Sequence, residues 1–401
     1  MKFDRASLYY ISYNLNSFSA GLIALFINLF VLATSSLLGV ILFNILYYTG
    51  LEIALFGCAY WITKIDPKDF YIAGNVIRAV TLISLLAAAS LVSNIIIFGL
   101  LYGISIGTFW LGNNVLSSDI SKGLDRRDFV YRNNLLTSIV SFIAPTLAGL
   151  MIEYAPYTGS AQFMYDFAAA FVMLIASAYV ISLVKMDKAD KPLAFRISDI
   201  RIKHDGYGAY KLNFFLSQIF AIPYSILLPI YVFEITGSYT IAGLYGSLLL
   251  FVAIFANYIG RVRLSAWGTT VKVLIAGTIA SSLLLLVPSM VSPLLAIFVF
   301  SVVYTIAYTP LNNQVTSNFM ELIDESTKNR VYYWLNREFY IYAGRASVLV
   351  AIAVALFESA SNSVYLLYSF PLMVLFCVTY LKTANRAAGR PAKLSLPNAM
   401  R

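Results

Sequence analysis

Charge is scarce in this chain. Of its 401 residues, 12% are Asp, Glu, Lys or Arg and 60% are hydrophobic, whereas a soluble domain carries about 25% charged residues. That excludes an ordinary water-soluble fold. Histidine is scarcer still: the single one, His204, lies in a polar stretch. The two cysteines, Cys58 and Cys377, sit inside apolar runs; they make no disulfide framework and read as small apolar filler. Metal-ligand spacings and a Gly-x4-Gly-Lys phosphate loop are both missing, so no metal and no cofactor is expected, and ATP is not the expected energy source. The apolar runs hold no His, Cys or paired-Asp constellation, which argues against an enzyme. No short apolar segment followed by a cleavage site opens the chain, so the first apolar run is expected to act as its own insertion signal.

What the chain has is long apolar stretches, with a mean hydropathy of +0.78. A hydrocarbon layer about 30 Å thick needs about 20 apolar residues per helix, and only helices or closed barrels satisfy their backbone there. Alternating ten-residue barrel segments are absent, while runs such as 95–109 and 294–307 are present. The reading is all-α: a polytopic membrane protein of twelve transmembrane helices. They are predicted at 8–33, 36–62, 70–90, 93–117, 130–153, 160–185, 208–233, 238–262, 270–288, 291–317, 332–357 and 362–383. The longest polar stretch, Lys185–Asp205, separates two sixes. The expected organisation is an N-terminal six-helix bundle (1–190), a linker (191–206), a C-terminal six-helix bundle (207–385) and a tail (386–401).

Basic residues are missing from one side. With the N-terminus inside, Lys2, Arg5, Lys64, Lys68, Arg126, Arg127, the linker, Arg261, Arg263, Lys272, Lys328, Arg330 and the tail all face the cytoplasm. The outer loops then carry only acids, Glu153, Glu234 and Glu358. This obeys the positive-inside bias and accounts for the net charge of +9. The expectation is a multi-pass cell-membrane protein with both termini cytoplasmic and with membrane lipid as a partner. The charge is spread over many short loops, which argues against nucleic acid.

A weak internal repeat supports the two sixes. Leu111, Asn113, Val115 and Ser117 correspond to Leu311, Asn313, Val315 and Ser317; after a loop, Tyr131 corresponds to Tyr333 and Asn134 to Asn336. A doubled set of spans with polar breaks at matching positions is the layout of a secondary transporter.

Twelve spans in two sixes, both termini inside and a long central loop resemble the major facilitator superfamily over essentially the whole chain. Its loop after the second span starts with Gly, has an Asp four residues on and then basic residues. Here Gly57 is followed by Trp61, Lys64 and Lys68, with Asp66-Pro67-Lys68-Asp69 as a charge cluster, and the matching loop Gly260-Arg261-Val262-Arg263 keeps the basics. The Gly-Pro bend of the fifth span in its proton antiporters is kept in part, as Pro145 and Gly149, with Ala144 and Ser141 in place of glycines. The resemblance implies alternating access, two bundles rocking about a central cavity, with spans two and eleven facing each other across them.

Charges inside spans are candidates for function. Glu52 and Arg345 fall at similar depth in spans two and eleven. Either they form a latch that protonation of Glu52 releases, or they are a static buried pair. Arg337 and Glu338 lie near the inner surface, and Glu338 shares a face with Arg345; a network holding a gate shut is the reading. Asp166, Arg78 and Lys211 are expected to snorkel to a membrane surface. Asn113, Asn114, Asn313 and Gln314 are placed about a turn from the inner ends of spans four and ten, either packing or lining a cavity. Asn14, Asn16, Ser217, Gln218 and Asn257 complete the polar cavity candidates. Gly103-Ile104-Ser105-Ile106-Gly107 matches a nucleophile elbow, but lies mid-span; Gly99, Gly103 and Gly107 form a small-residue stripe instead. The expected function is a monomeric secondary active transporter of a small solute, proton-coupled, with export one possible direction. A lipid or glycolipid flippase of the same fold is the alternative, with a lipid-like substrate.

Overall fold

The computed structural model describes residues 4–62, 64–87, 94–121, 126–185, 208–262, 276–277, 280–281, 292–325 and 330–358. Eleven α-helices account for nearly all of them. In chain order they are α1 (Arg5–Thr34), α2 (Leu37–Trp61), α3 (Pro67–Ala87), α4 (Asn94–Ile120), α5 (Arg126–Ser141), α6 (Ala144–Glu153), α7 (Met164–Ser182), α8 (Gly208–Thr236), α9 (Tyr239–Val262), α10 (Pro293–Glu325) and α11 (Arg330–Glu358). Among the described residues, nine segments are long and apolar enough to cross a membrane. The ninth span falls largely, and the twelfth wholly, outside the described residues, as do the whole linker 191–206 and the tail 386–401.

Local chemistry sets the helix ends. The Asp4 carboxylate accepts from Ser7 N at 2.8 Å and caps α1, and the Ser36 hydroxyl accepts from Gly39 N at 3.2 Å and caps α2. Each satisfies one of the free N–H groups of a first turn. Gly237, at φ +64, makes the left-handed turn that ends α8, with its N–H donating to Phe233 O at 2.7 Å; Ser238 then caps α9. The predicted fifth span, 130–153, is two helices. Pro145 has no N–H to give to Ser141 O, so α5 ends at Ser141 and α6 starts at Ala144. Gly21 of α1 packs into the break, its missing Cβ leaving room for Ala144.

Helices α1 to α7 pack together, as do α8 to α11. The glycine stripe of α4 lies against α2: a Cβ on Gly103 would enter the Tyr47 carbonyl, and one on Gly107 the Leu51 carbonyl. In the second set, Gly344 of α11 lies against the Phe215 carbonyl of α8, and Tyr245 of α9 shares a 2.7 Å hydrogen bond with Ser301 of α10. Outward-facing apolar side chains such as Tyr60, Val172, Tyr179, Phe255 and Phe357 are exposed, as a surface bathed in lipid requires.

Two seams join the halves. α5 and α6 with α9 form one, close-packed where α6 meets the start of α9, and α2 with α11 the other. The face where α1 begins, which carries Arg5, Lys64 and Lys68, is called the basic face below. The opposite face carries Glu153 and Glu234 and is called the acidic face.

Candidate functional site

The α2–α11 seam brings buried charges from both halves together. Tyr48, Thr49 and Glu52 lie within little more than one turn of α2, so they share a face. Across from them α11 presents Glu338, Tyr342 and Arg345. Thr49 Oγ1 and the Tyr342 hydroxyl share a hydrogen bond at 3.2 Å. The Arg345 guanidinium lies 4.5 Å from the centre of the Tyr48 ring, a cation–π contact, and its Nε donates to Gln218 Oε1 of α8 at 3.0 Å. Gln218 Nε2 donates in turn to Ser217 Oγ at 3.0 Å.

Glu52 is 5% exposed. Neither of its carboxylate oxygens has a hydrogen-bond partner. Arg345 and Glu338 are the charged groups close enough to act on it, yet among the described residues no direct Glu52–Arg345 ion pair forms, since Arg345 is engaged by Tyr48 and Gln218. Glu338 pairs instead with its neighbour Arg337 at 3.2 Å, and Arg337 lies over the rings of Trp334 and Phe214 at 5.2 and 5.6 Å.

The other candidates fall elsewhere. Asn113 accepts from the Tyr9 hydroxyl at 3.1 Å, and Asn114 is buried beside it. Asn313 accepts from Asn134 Nδ2 of α5 at 2.9 Å and donates to Asn257 Oδ1 of α9; Asn257 reaches Ser138 of α5 at 3.4 Å. Asn134 and Asn313 both belong to the internal repeat, so one copy bonds the other across the halves. Because α4 and α10 run on to Ile120 and Glu325, these amides lie about two to three turns from the helix ends rather than one. Gln314 lies next in α10. Asn14 donates to Tyr10 O of its own helix at 2.7 Å, and its Oδ1 is buried without a partner.

Three charges expected to snorkel are buried. Arg78 is 3% exposed, in the middle of α3. Its Nη2 donates to Asn16 of α1 and, at 3.5 Å, to Asn75 one turn earlier. Asn75 donates to Ser177 of α7 at 3.0 Å, Ser177 to Ser12 O at 2.8 Å, and Ser12 to the Tyr71 hydroxyl at 3.0 Å. The sequence reading missed this network. Its signal was there: Tyr71, Asn75 and Arg78 fall at helical spacing on one face of α3, and Ser12 and Asn16 on one face of α1. Asp166 is fully buried in the first turn of α7, with neither carboxylate oxygen bonded. Lys211 is buried with its ammonium 5.9 Å from the Tyr340 ring.

A family profile decides the class of this two-halved helical fold. The profile of the Major Facilitator Superfamily matches residues 9–346. The chain belongs to this superfamily. It is a multi-pass membrane protein and a transporter by family, with the twelve-helix, two-bundle fold of its solved members. A bacterial homologue of the iron transporter ferroportin superposes with a TM-score of 0.68 in its inward-facing state, at 13% identity, covering 96% of this chain and 99% of that one. Its outward-facing state gives 0.65 at 10% identity, covering 96% and 98%. The Escherichia coli fucose:proton symporter FucP gives 0.57 at 14% identity, covering 96% and 97%. At such identities these likenesses show the superfamily fold alone. In sequence, the uncharacterized protein YqgE of Bacillus subtilis (strain 168) is 23% identical over 306 residues, 71% of this chain and 70% of that protein.

Proposed function

We propose that the protein is a secondary active transporter that moves a small solute across the cell membrane by alternating access, coupled to protons through Glu52. One observation carries this reading. A carboxyl group with no hydrogen-bond partner is buried at the seam between the halves, facing Glu338 and Arg345 of the other half. Burying an unpaired carboxylate costs several kcal/mol, so a group kept in such a place is suited to taking and losing a proton as the seam opens. Protonation also removes its repulsion with Glu338 and its attraction to Arg345, which changes how the halves hold together. The name of FucP records proton coupling for that symporter, and the ferroportin homologue exists in inward-facing and outward-facing states; both support the reading by analogy of fold. In this reading the chain works as a monomer, residues 1–190 and 207–385 are the rocking bundles, and the basic face with both termini is cytoplasmic.

The test is transport in proteoliposomes under an imposed pH gradient. Glu52→Gln is expected to abolish gradient-driven accumulation while leaving solute exchange intact. Unchanged pH dependence in that variant removes Glu52 as the proton site and transfers the role to Asp166 or Glu338.

A further inference from the structure

We propose that the tyrosine cluster between Arg78 and Arg345 binds a small anion, a carboxylate or a phosphate, in the combined field of one guanidinium from each half of the molecule. The proposal rests on the transporter reading and names the chemical class of its solute.

The first observation is a pair of cations that form no ion pair among the described residues. Among the described residues Arg78 makes no ion pair: its partners are the neutral amides of Asn16 and Asn75, and its Nε has none. Arg345 likewise makes no ion pair, since it rests on Tyr48 and Gln218. A guanidinium held at membrane depth without an ion-pair partner is unfavourable. One lies near mid-helix in each half: Arg78 has only neutral amides as partners, and Arg345 has Glu52 near it but makes no direct contact with it.

The second observation is what lies between them. Tyr47 is close enough to both guanidiniums to feel their charge, and Tyr102 lies near Arg78 in the same way. The rings of Tyr102 and Tyr47 are 5.4 Å apart, and those of Tyr47 and Tyr48 are 4.4 Å apart, so an unbroken row of tyrosines runs from one arginine to the other. The hydroxyls of Tyr47, Tyr48 and Tyr102 bond no protein group among the described residues. The cluster therefore offers two guanidinium forks and three phenol donors. Beyond the neutral amide oxygens of Gln218, Asn16 and Asn75 that the arginines already use, the anionic acceptors near it among the described residues are Glu52 and, further along α11, Glu338, already paired with Arg337. A surplus of donors at a charged site calls for an oxyanion, whose oxygens take the paired N–H groups of arginine side by side. Protonated Glu52 leaves the anion unopposed, which ties its binding to proton uptake.

Two sources of such an anion exist, a water-soluble solute and an anionic lipid headgroup. The purified full chain in phosphatidylcholine nanodiscs is challenged with inorganic phosphate, acetate and succinate, each against chloride at equal ionic strength. It is then studied in nanodiscs containing phosphatidylglycerol. A rise of several degrees in the unfolding midpoint is expected, with at least a tenfold weaker apparent affinity in Arg78→Gln and a smaller weakening in Tyr47→Phe, which keeps both charges. Stabilisation by the soluble anions identifies a solute; stabilisation by phosphatidylglycerol alone identifies a headgroup. Without added anion, Arg78→Gln is expected to unfold at or above the wild-type midpoint, since it removes an uncompensated charge; a lower midpoint would mark Arg78 as merely structural and overturn the proposal. So would an absent response in wild type, or an equal response in Arg78→Gln and Tyr47→Phe. Failure of the two readings is distinguishable. Anion binding that needs Arg78, without transport into proteoliposomes, keeps the site and sinks the transporter. Transport of a neutral or cationic solute that Arg78→Gln leaves unchanged does the reverse.

Discussion

The two seams between the halves are built on opposite plans. Where α6 meets α9, backbones touch. Gly243 lies against the Pro145 carbonyl and Gly149 against the Tyr239 carbonyl. The charged group and most polar groups there are paired: Thr146 Oγ1 donates to Ser247 Oγ at 2.7 Å, and Glu153 accepts from Ser238 Oγ and Thr240 N, both at 2.7 Å; the neutral Thr240 hydroxyl is the exception, buried without a partner. Where α2 meets α11 the surfaces are large aromatics and charges, and Glu52 is left unpaired. Small residues with satisfied polar groups favour close, specific packing in a membrane. Unsatisfied groups raise the energy of the state that holds them. Under the proposed alternating access, the first seam is suited to closing and the second to responding to something that binds or leaves.

The sharpest way to break this contrast is at Gly243. A leucine there must displace the Pro145 backbone. Overpacking of this kind costs about 1–3 kcal/mol, and each 1.4 kcal/mol shifts an equilibrium about tenfold. Gly243→Leu is expected to open the α6–α9 seam, measured as a rise of about tenfold or more in the labelling rate of a Thr146→Cys variant. Gly57→Leu is the control, since nothing lies within 4 Å of the Cβ it would add.

The second test runs the other way. At the α2–α11 seam, Glu52→Leu replaces an unsatisfied buried carboxyl by an apolar group of similar size. It is expected to stabilise the protein by about 1–3 kcal/mol while abolishing proton-driven accumulation. At the α6–α9 seam, Thr146→Val removes a satisfied hydroxyl and is expected to destabilise by about 1 kcal/mol. Opposite signs in unfolding midpoints would confirm the contrast; equal signs would erase it.

How much of this was readable without coordinates depends on what a count along one helix reports. Depth was readable. Apolar runs of about 20 residues fix the spans, and every fully described helix falls on a predicted one. Depth also placed Glu52 and Arg345 near one level. Azimuth was not readable. Whether Arg345 meets Glu52 or Tyr48 depends on rotation about α11 and on Gln218, which α8 supplies. Arg78 is buried rather than snorkelling for the same reason: its partners, Asn16 on α1 and the Asn75–Ser177 link to α7, come from other spans. Asp166, fully buried at the start of α7, was likewise read from its position near a span end. Pro145 signalled a bend, but the close approach of α1 to the interruption at residues 142–143 depends on Gly21, whose missing Cβ leaves room for Ala144.

The smallest expected effect tests what holds the α6–α9 seam at its rim. Glu153 is exposed, and its carboxylate sits at the start of α9. It accepts from the Thr240 N–H in that helix's first turn and from Ser238, whose hydroxyl also caps Ile241 N at 3.2 Å. A negative charge at a helix N-terminus is favourable, but exposure to water and salt screens it. Glu153→Gln is therefore expected to lower stability by no more than about 0.5 kcal/mol, with the difference shrinking further at high salt. Ser238→Ala removes the cap itself and is expected to destabilise by about 1 kcal/mol. The double variant should fall short of the sum, because the two groups share one hydrogen bond. If Glu153→Gln instead rivals Gly243→Leu in opening the seam, charge at the rim holds the halves together, and the backbone contact between α6 and α9 follows from that charge.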